Sequence, residues 1–140
     1  MTRRLFGIGN PDRGDDAAGI AVAQAVVGWE SEVRNTGSPD MIESWFPYDE
    51  VVIVDAMSSG APPGQVHVFD GRRDVIPSGA FTSTHSFGPA EIVALAGVLD
   101  RMPSTLTLYG IEIGHTEFGE PMSAAVQSAV TALAEELRRA

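Results

Sequence analysis

Val51-Val52-Ile53-Val54-Asp55 is a run of four β-branched residues closed by a carboxylate. With no polar alternation, it fits a parallel strand buried on both faces, which requires helices on either side of a sheet. Working outward, strand and helix patterns alternate. Residues 3–8 read as a strand and 15–28 as an Ala-rich helix whose opening Asp15-Asp16 suits the positive end of the helix dipole. Residues 31–34 read as a short strand. Asn35-Thr36-Gly37-Ser38-Pro39 is a turn with Ser38 as N-cap and Pro39 at the first position of a helix running to about Phe46. The strand at 50–54 is followed by a Pro/Gly loop over 58–64 and by 65–69, which alternates as a half-exposed edge strand does, suited to antiparallel pairing. A helix over 89–101, opened by Gly88-Pro89, a strand over 104–111 and an amphipathic helix over 121–139 complete the chain. The expected fold class is α/β: a three-layer α/β/α sandwich with a mostly parallel, five-stranded twisted sheet.

At 140 residues, without repeats or linkers, a single domain spanning 1–140 is expected. A hydrophobic content of 44% and a mean hydropathy of +0.04 fit a soluble globular protein, and no apolar run approaches a membrane span. Met1-Thr2-Arg3-Arg4-Leu5-Phe6 lacks the apolar stretch of a signal peptide, so a cytoplasmic location is expected. The net charge of −10 argues against nucleic acid and anionic membrane as partners and suits a cationic or metal-bearing one. There is no cysteine, which removes disulfides, thiolate metal sites and a cysteine nucleophile together.

In an open α/β sheet, ligands bind beyond the carboxyl ends of the strands. Three potential metal ligands are expected there: Asp16 after the first strand, Asp55 closing the central run, and His85 in Phe81-Thr82-Ser83-Thr84-His85-Ser86. Two carboxylates and an imidazole could hold a divalent transition metal. Gly7-Ile8-Gly9-Asn10 invites a dinucleotide reading, but Asp12 stands where the third glycine belongs and two aspartates would repel a pyrophosphate. An ordinary βα turn with aspartates capping the helix reads equally well from spacing alone. Hydroxyls around His85 could fix its tautomer for ligation. His115, after the last strand, is a reserve ligand, and His67 reads as a half-exposed strand histidine. The motifs of serine hydrolases, zincins and Walker-loop enzymes are absent.

These residues carry a resemblance. Gly7-Ile8-Gly9-Asn10-Pro11 with Asp15-Asp16, then Val51 to Asp55-Ala56, then Thr84-His85, resemble in order and setting the motifs of the maturation endopeptidases of nickel-iron hydrogenases. Asn35-Thr36-Gly37, Gly110-Ile111 and Pro121-Met122-Ser123 resemble less specific features of that family, so the likeness spans the whole chain. It implies an endopeptidase that removes the C-terminal extension from the precursor of a hydrogenase large subunit after nickel insertion. It further implies that Asp16, Asp55 and His85 meet the metal and carry the reaction. The nickel would be supplied by the substrate, with no tightly bound organic cofactor, and the partner would be the nickel-loaded precursor, met by a monomer. Asp12, Ala17 and Ile113-Gly114-His115 depart from the family pattern beside the expected cleft, which bears on the identity of the substrate. The competing readings are a non-catalytic metal- or precursor-binding chaperone and another metal-dependent hydrolase on the same fold.

Overall fold

The computed structural model of the protein describes residues 2–77, 79–81, 87–114 and 119–140. Strands β1 (Arg3–Ile8), β2 (Glu30–Arg34), β3 (Glu50–Met57), β4 (Val66–Asp70) and β5 (Thr105–Glu112) form one sheet in the order β2-β1-β3-β5-β4. The pairings of β1 with β2, β1 with β3 and β3 with β5 are parallel, and β4 closes one edge antiparallel to β5. The helices are α1 (Ala18–Ala25), α2 (Asp40–Trp45), α3 (Pro89–Val98) and α4 (Ala124–Arg139). Two apolar layers flank the sheet. Phe6, Ile53, Leu106 and Leu108 pack under Met41, Ile42 and Trp45 of α2 and Ile92, Val93 and Ala96 of α3. On the opposite face Leu5, Val52, Val54 and Ile111 pack under Ala18 and Val22 of α1 and Val126, Val130, Leu133 and Leu137 of α4. The expected three-layer α/β/α sandwich with a mostly parallel sheet is therefore what forms. No helix among the described residues is long and apolar enough to cross a membrane.

Several boundaries differ from the sequence expectation, each for a local reason. The helix expected over 15–28 is a 3-10 turn (Gly14–Ala17) followed by α1, which stops at Ala25 because Val26 turns extended and Gly28 takes a φ of +91°. Pro39 has helical dihedrals as expected, but the Ser38 hydroxyl bonds the Asp40 carboxylate instead of capping a backbone N–H. The helix expected to reach 101 ends at Val98, and the one expected from 121 begins at Ala124. Most consequential is β3, expected over 50–54, which runs on to Met57 because Ala56 and Met57 pair with Ile111 and Glu112, and Met57 also bridges Phe81.

The strand order places the site. From β1 the chain passes through α1 on one face to β2, then through α2 on the other face to β3. The connection leaving β1 heads through α1 toward β2 at one edge, and the one leaving β3 heads toward β4 at the other edge, so the carboxyl ends of these two adjacent strands are the topological switch point, where open α/β sheets bind ligands.

Candidate active site at the carboxyl ends of β1 and β3

The turn after β1 explains its own sequence. Gly9 faces the Asp16 carbonyl so closely that an added Cβ would lie 2.1 Å from that oxygen, so any larger residue would push the turn apart. Asn10 donates its backbone N–H to the same carbonyl (3.1 Å), and its side-chain oxygen accepts the Asp12 N–H (2.9 Å), an Asx turn. Gly14 takes a φ of +54°, starting the 3-10 turn, and the Asp16 N–H closes back on the Arg13 carbonyl (3.0 Å). The Gly-Ile-Gly-Asn segment thus binds the chain's own backbone and delivers Asp16 to the rim, half-buried.

Asp55 was expected just beyond a strand, but it lies inside one. It is fully buried, alternates with Ile53 and Met57 onto the α2/α3 face, and pairs with Gly110 of β5. One of its carboxylate oxygens accepts the Ala56 N–H at 2.8 Å. The 3-10 turn bearing Asp16 packs against β3, so both expected aspartates lie at the switch point. His85, the third expected ligand, and His115, the reserve, lie outside the described residues. The described residues flanking His85, Phe81 and Phe87, both belong to the core layer on the face that carries Asp55. Among the described residues no three carboxylate or imidazole groups gather as a metal cluster. A separate surface groove of about 620 Å³, lined by Ile42, Phe46, Leu99 and Arg101, runs along α2 and contains none of the expected residues.

Two buried carboxylates at the same rim went unread in the sequence. Asp15 is wholly buried; Oδ1 accepts the Ser123 N–H (2.7 Å), and Oδ2 accepts the Gly114 N–H (2.7 Å) and the Ser123 hydroxyl (3.0 Å). The sequence reading gives it a part in favouring the helix dipole or capping the helix. Glu112, 2% exposed at the end of β5, accepts the Ser59 N–H (3.0 Å) and hydroxyl (2.5 Å). His67, expected to be an unremarkable strand histidine, stands with Nε2 3.0 Å from Glu112. Burial pushes the Glu112 carboxyl up, but the bonds from Ser59 and His67 outweigh it and hold the group below the usual glutamate range. The only sequence signal for Glu112 was a charge inside the apolar run Gly110-Ile111-Glu112-Ile113.

Met57 and Phe81 fill the space above Gly110, where an added Cβ would lie 2.6 Å from the Met57 sulfur and 3.3 Å from the Phe81 ring. Gly110 sits in register between Asp55 on one neighbouring strand and His67 on the other. Met57 and Phe81 thereby stand over the residue that separates Asp55 from His67 in the register.

Comparison with known proteins gives consistent results. A family model described as hydrogenase maturation protease (HycI) matches residues 35–140. The solution structure of an endopeptidase HycI from Escherichia coli superposes with a TM-score of 0.78 at 24% identity, over 99% of this chain and 90% of that one. The crystal structure of a NiFe hydrogenase maturation protease HycI from Thermococcus kodakarensis KOD1 gives 0.72 at 26% identity, over 99% and 91%. The NiFe hydrogenase maturation protease HybD from Thermococcus kodakarensis gives 0.76 at 20% identity, over 99% and 98%. Comparison with curated protein sequences gives no match.

Proposed function

Because the chain belongs to the hydrogenase maturation protease family, we propose that it is the endopeptidase that removes the C-terminal extension of a nickel-iron hydrogenase large-subunit precursor once nickel is in place. The observation that carries this reading is the placement of two carboxylates at one switch point. Asp55 is buried in the central strand, and Asp16 is fixed on the turn that packs against that strand. In this reading His85, which the family resemblance implies as the third ligand, completes a set of oxygen and nitrogen donors suited to nickel(II). On the same reading the nickel is held by the precursor's own cysteines, and a chain without cysteine suits a protease that borrows its metal. The metal arrives with the substrate and serves as the mark of a loaded precursor. A carboxylate anchored in a rigid strand loses little entropy when it engages, and it fixes where the precursor's C-terminal segment lies relative to the rim. The rest of the chain's task is to position the scissile peptide for attack by water.

The test is the intact mass of the hydrogenase large subunit from cells with and without this gene. We expect the deletion strain to accumulate the longer, C-terminally extended form. The wild-type gene restores the short form, and His85→Ala or Asp55→Asn does not. A mature large subunit in the deletion strain, or processing by His85→Ala, would overturn the assignment.

A further inference from the structure

We propose that Asp15 is a positioning residue for the reaction, setting the orientation of Asp16 without itself meeting substrate. The inference rests on the role given to Asp16 above. Asp15 and Asp16 are consecutive in a 3-10 turn, where successive side chains point about 120° apart. One is wholly buried and the other half-exposed at the rim, so rotating the turn to re-aim Asp16 requires breaking the bonds of Asp15.

Those bonds come from distant parts of the chain. Gly114 lies just past β5 and Ser123 immediately before α4, so a single carboxylate ties the turn after β1 to the segment leaving β5 and to the entry of α4. A further backbone bond, Gly119 N–H to the Asp12 carbonyl at 2.8 Å, joins the same two segments. Ser123 occupies the N-cap of α4, where a serine ordinarily accepts a hydrogen bond from its own helix; here it makes no such cap and its hydroxyl donates to Asp15. The Asp16 backbone is held from the other side by Gly9 and Asn10. With both sides fixed, its carboxylate retains only side-chain rotamer freedom.

The variants Asp15→Asn, Ser123→Ala and Ser123→Thr separate positioning from stability. Asparagine keeps the shape but offers one acceptor oxygen where two are used, and turns an N–H toward a donor. Each purified protein is assayed on the nickel-loaded large-subunit precursor at a temperature where circular dichroism shows it folded. We expect Asp15→Asn to lower kcat per folded molecule by about 100-fold, the usual cost of an ångström-scale misplacement. KM should move by no more than about threefold, since binding contacts away from Asp16 are untouched. Ser123→Ala should lower kcat several-fold, and Ser123→Thr, which keeps the hydroxyl, should restore it. Should Asp15→Asn fail to fold, the Ser123 pair decides. Unchanged kcat in Ser123→Ala, or a lowered Tm in Asp15→Asn with wild-type kcat, would overturn the inference. If wild-type protein itself leaves the precursor uncut, the endopeptidase reading falls and takes this one with it; if wild type cuts and the variants cut equally, only the positioning role falls.

Discussion

A buried carboxylate survives in a fold only where donors replace the water it has lost. Glu112 shows the balance most directly. Its burial opposes ionisation, and the Ser59 hydroxyl, Ser59 N–H and His67 ring together keep it charged, below the ordinary glutamate range. A carboxyl whose folded pKa lies below its unfolded one stabilises the fold above the unfolded value. It loses that contribution as pH falls through the folded value. Glu112→Gln should therefore cost about 1–3 kcal/mol at neutral pH, the typical loss when buried hydrogen-bond partners are left unmatched. The gap from wild type should narrow as the pH drops below about 4, where glutamates protonate. Urea denaturation of both proteins at neutral and acidic pH checks this. A gap that stays constant with pH would show that Glu112 contributes by shape and not by charge.

At the level of elements, helix ends are set by features that hydrophobic periodicity does not carry. After α3, Arg101 N–H reaches back to the Ala96 carbonyl and Asp100 N–H to the Gly97 carbonyl, the Schellman pattern, with Asp100 at a φ of +55°. Glycine is the residue that position favours, so Asp100→Gly should stabilise the protein by up to about 1 kcal/mol. The corresponding rise in Tm is about 2–4 °C for a domain of this size, measurable by calorimetry. An unchanged or lowered Tm would mean that the added freedom of the unfolded chain cancels the relief. This cap also marks what the sequence did and did not reveal. Element types were legible because their periods are local: β3 is an unbroken β-branched run, and Val126, Val130, Leu133 and Leu137 recur at helical spacing in α4. The ends of α1, α3 and α4 were not, since a positive φ or a carboxylate from elsewhere in the chain decides them. Asp16 and Asp55 stood out because each follows an apolar run. Asp15 and Glu112 did not, because their donors lie 99, 108 and 53 residues away in sequence.

Over the whole molecule, site and packing meet at one helix-to-sheet contact. Gly19 of α1 rests directly on the backbone of the central strands: a Cβ there would stand 2.4 Å from the carbonyl oxygens of both Ile8 and Val54. Those carbonyls belong to the residues just before Gly9 and Asp55. On the facing side, a Cβ on Gly7 would stand 2.3 Å from the Gly19 carbonyl, so neither surface has room to yield without moving the helix. Gly19→Ala must lift the start of α1 from the sheet, and with it the 3-10 turn that carries Asp15 and Asp16. Overpacking of this kind costs about 1–3 kcal/mol, which a domain of this size tolerates while remaining folded. Activity should suffer more than stability, because the displacement separates the turn bearing Asp16 from the strand bearing Asp55 while leaving both side chains intact. The expected result is a modest fall in Tm with a fall in precursor processing per folded molecule of at least about tenfold, in keeping with the sensitivity of reacting geometry to small misplacements. A variant that loses stability yet processes the precursor at the wild-type rate would show that the spacing between α1 and the sheet serves the core alone.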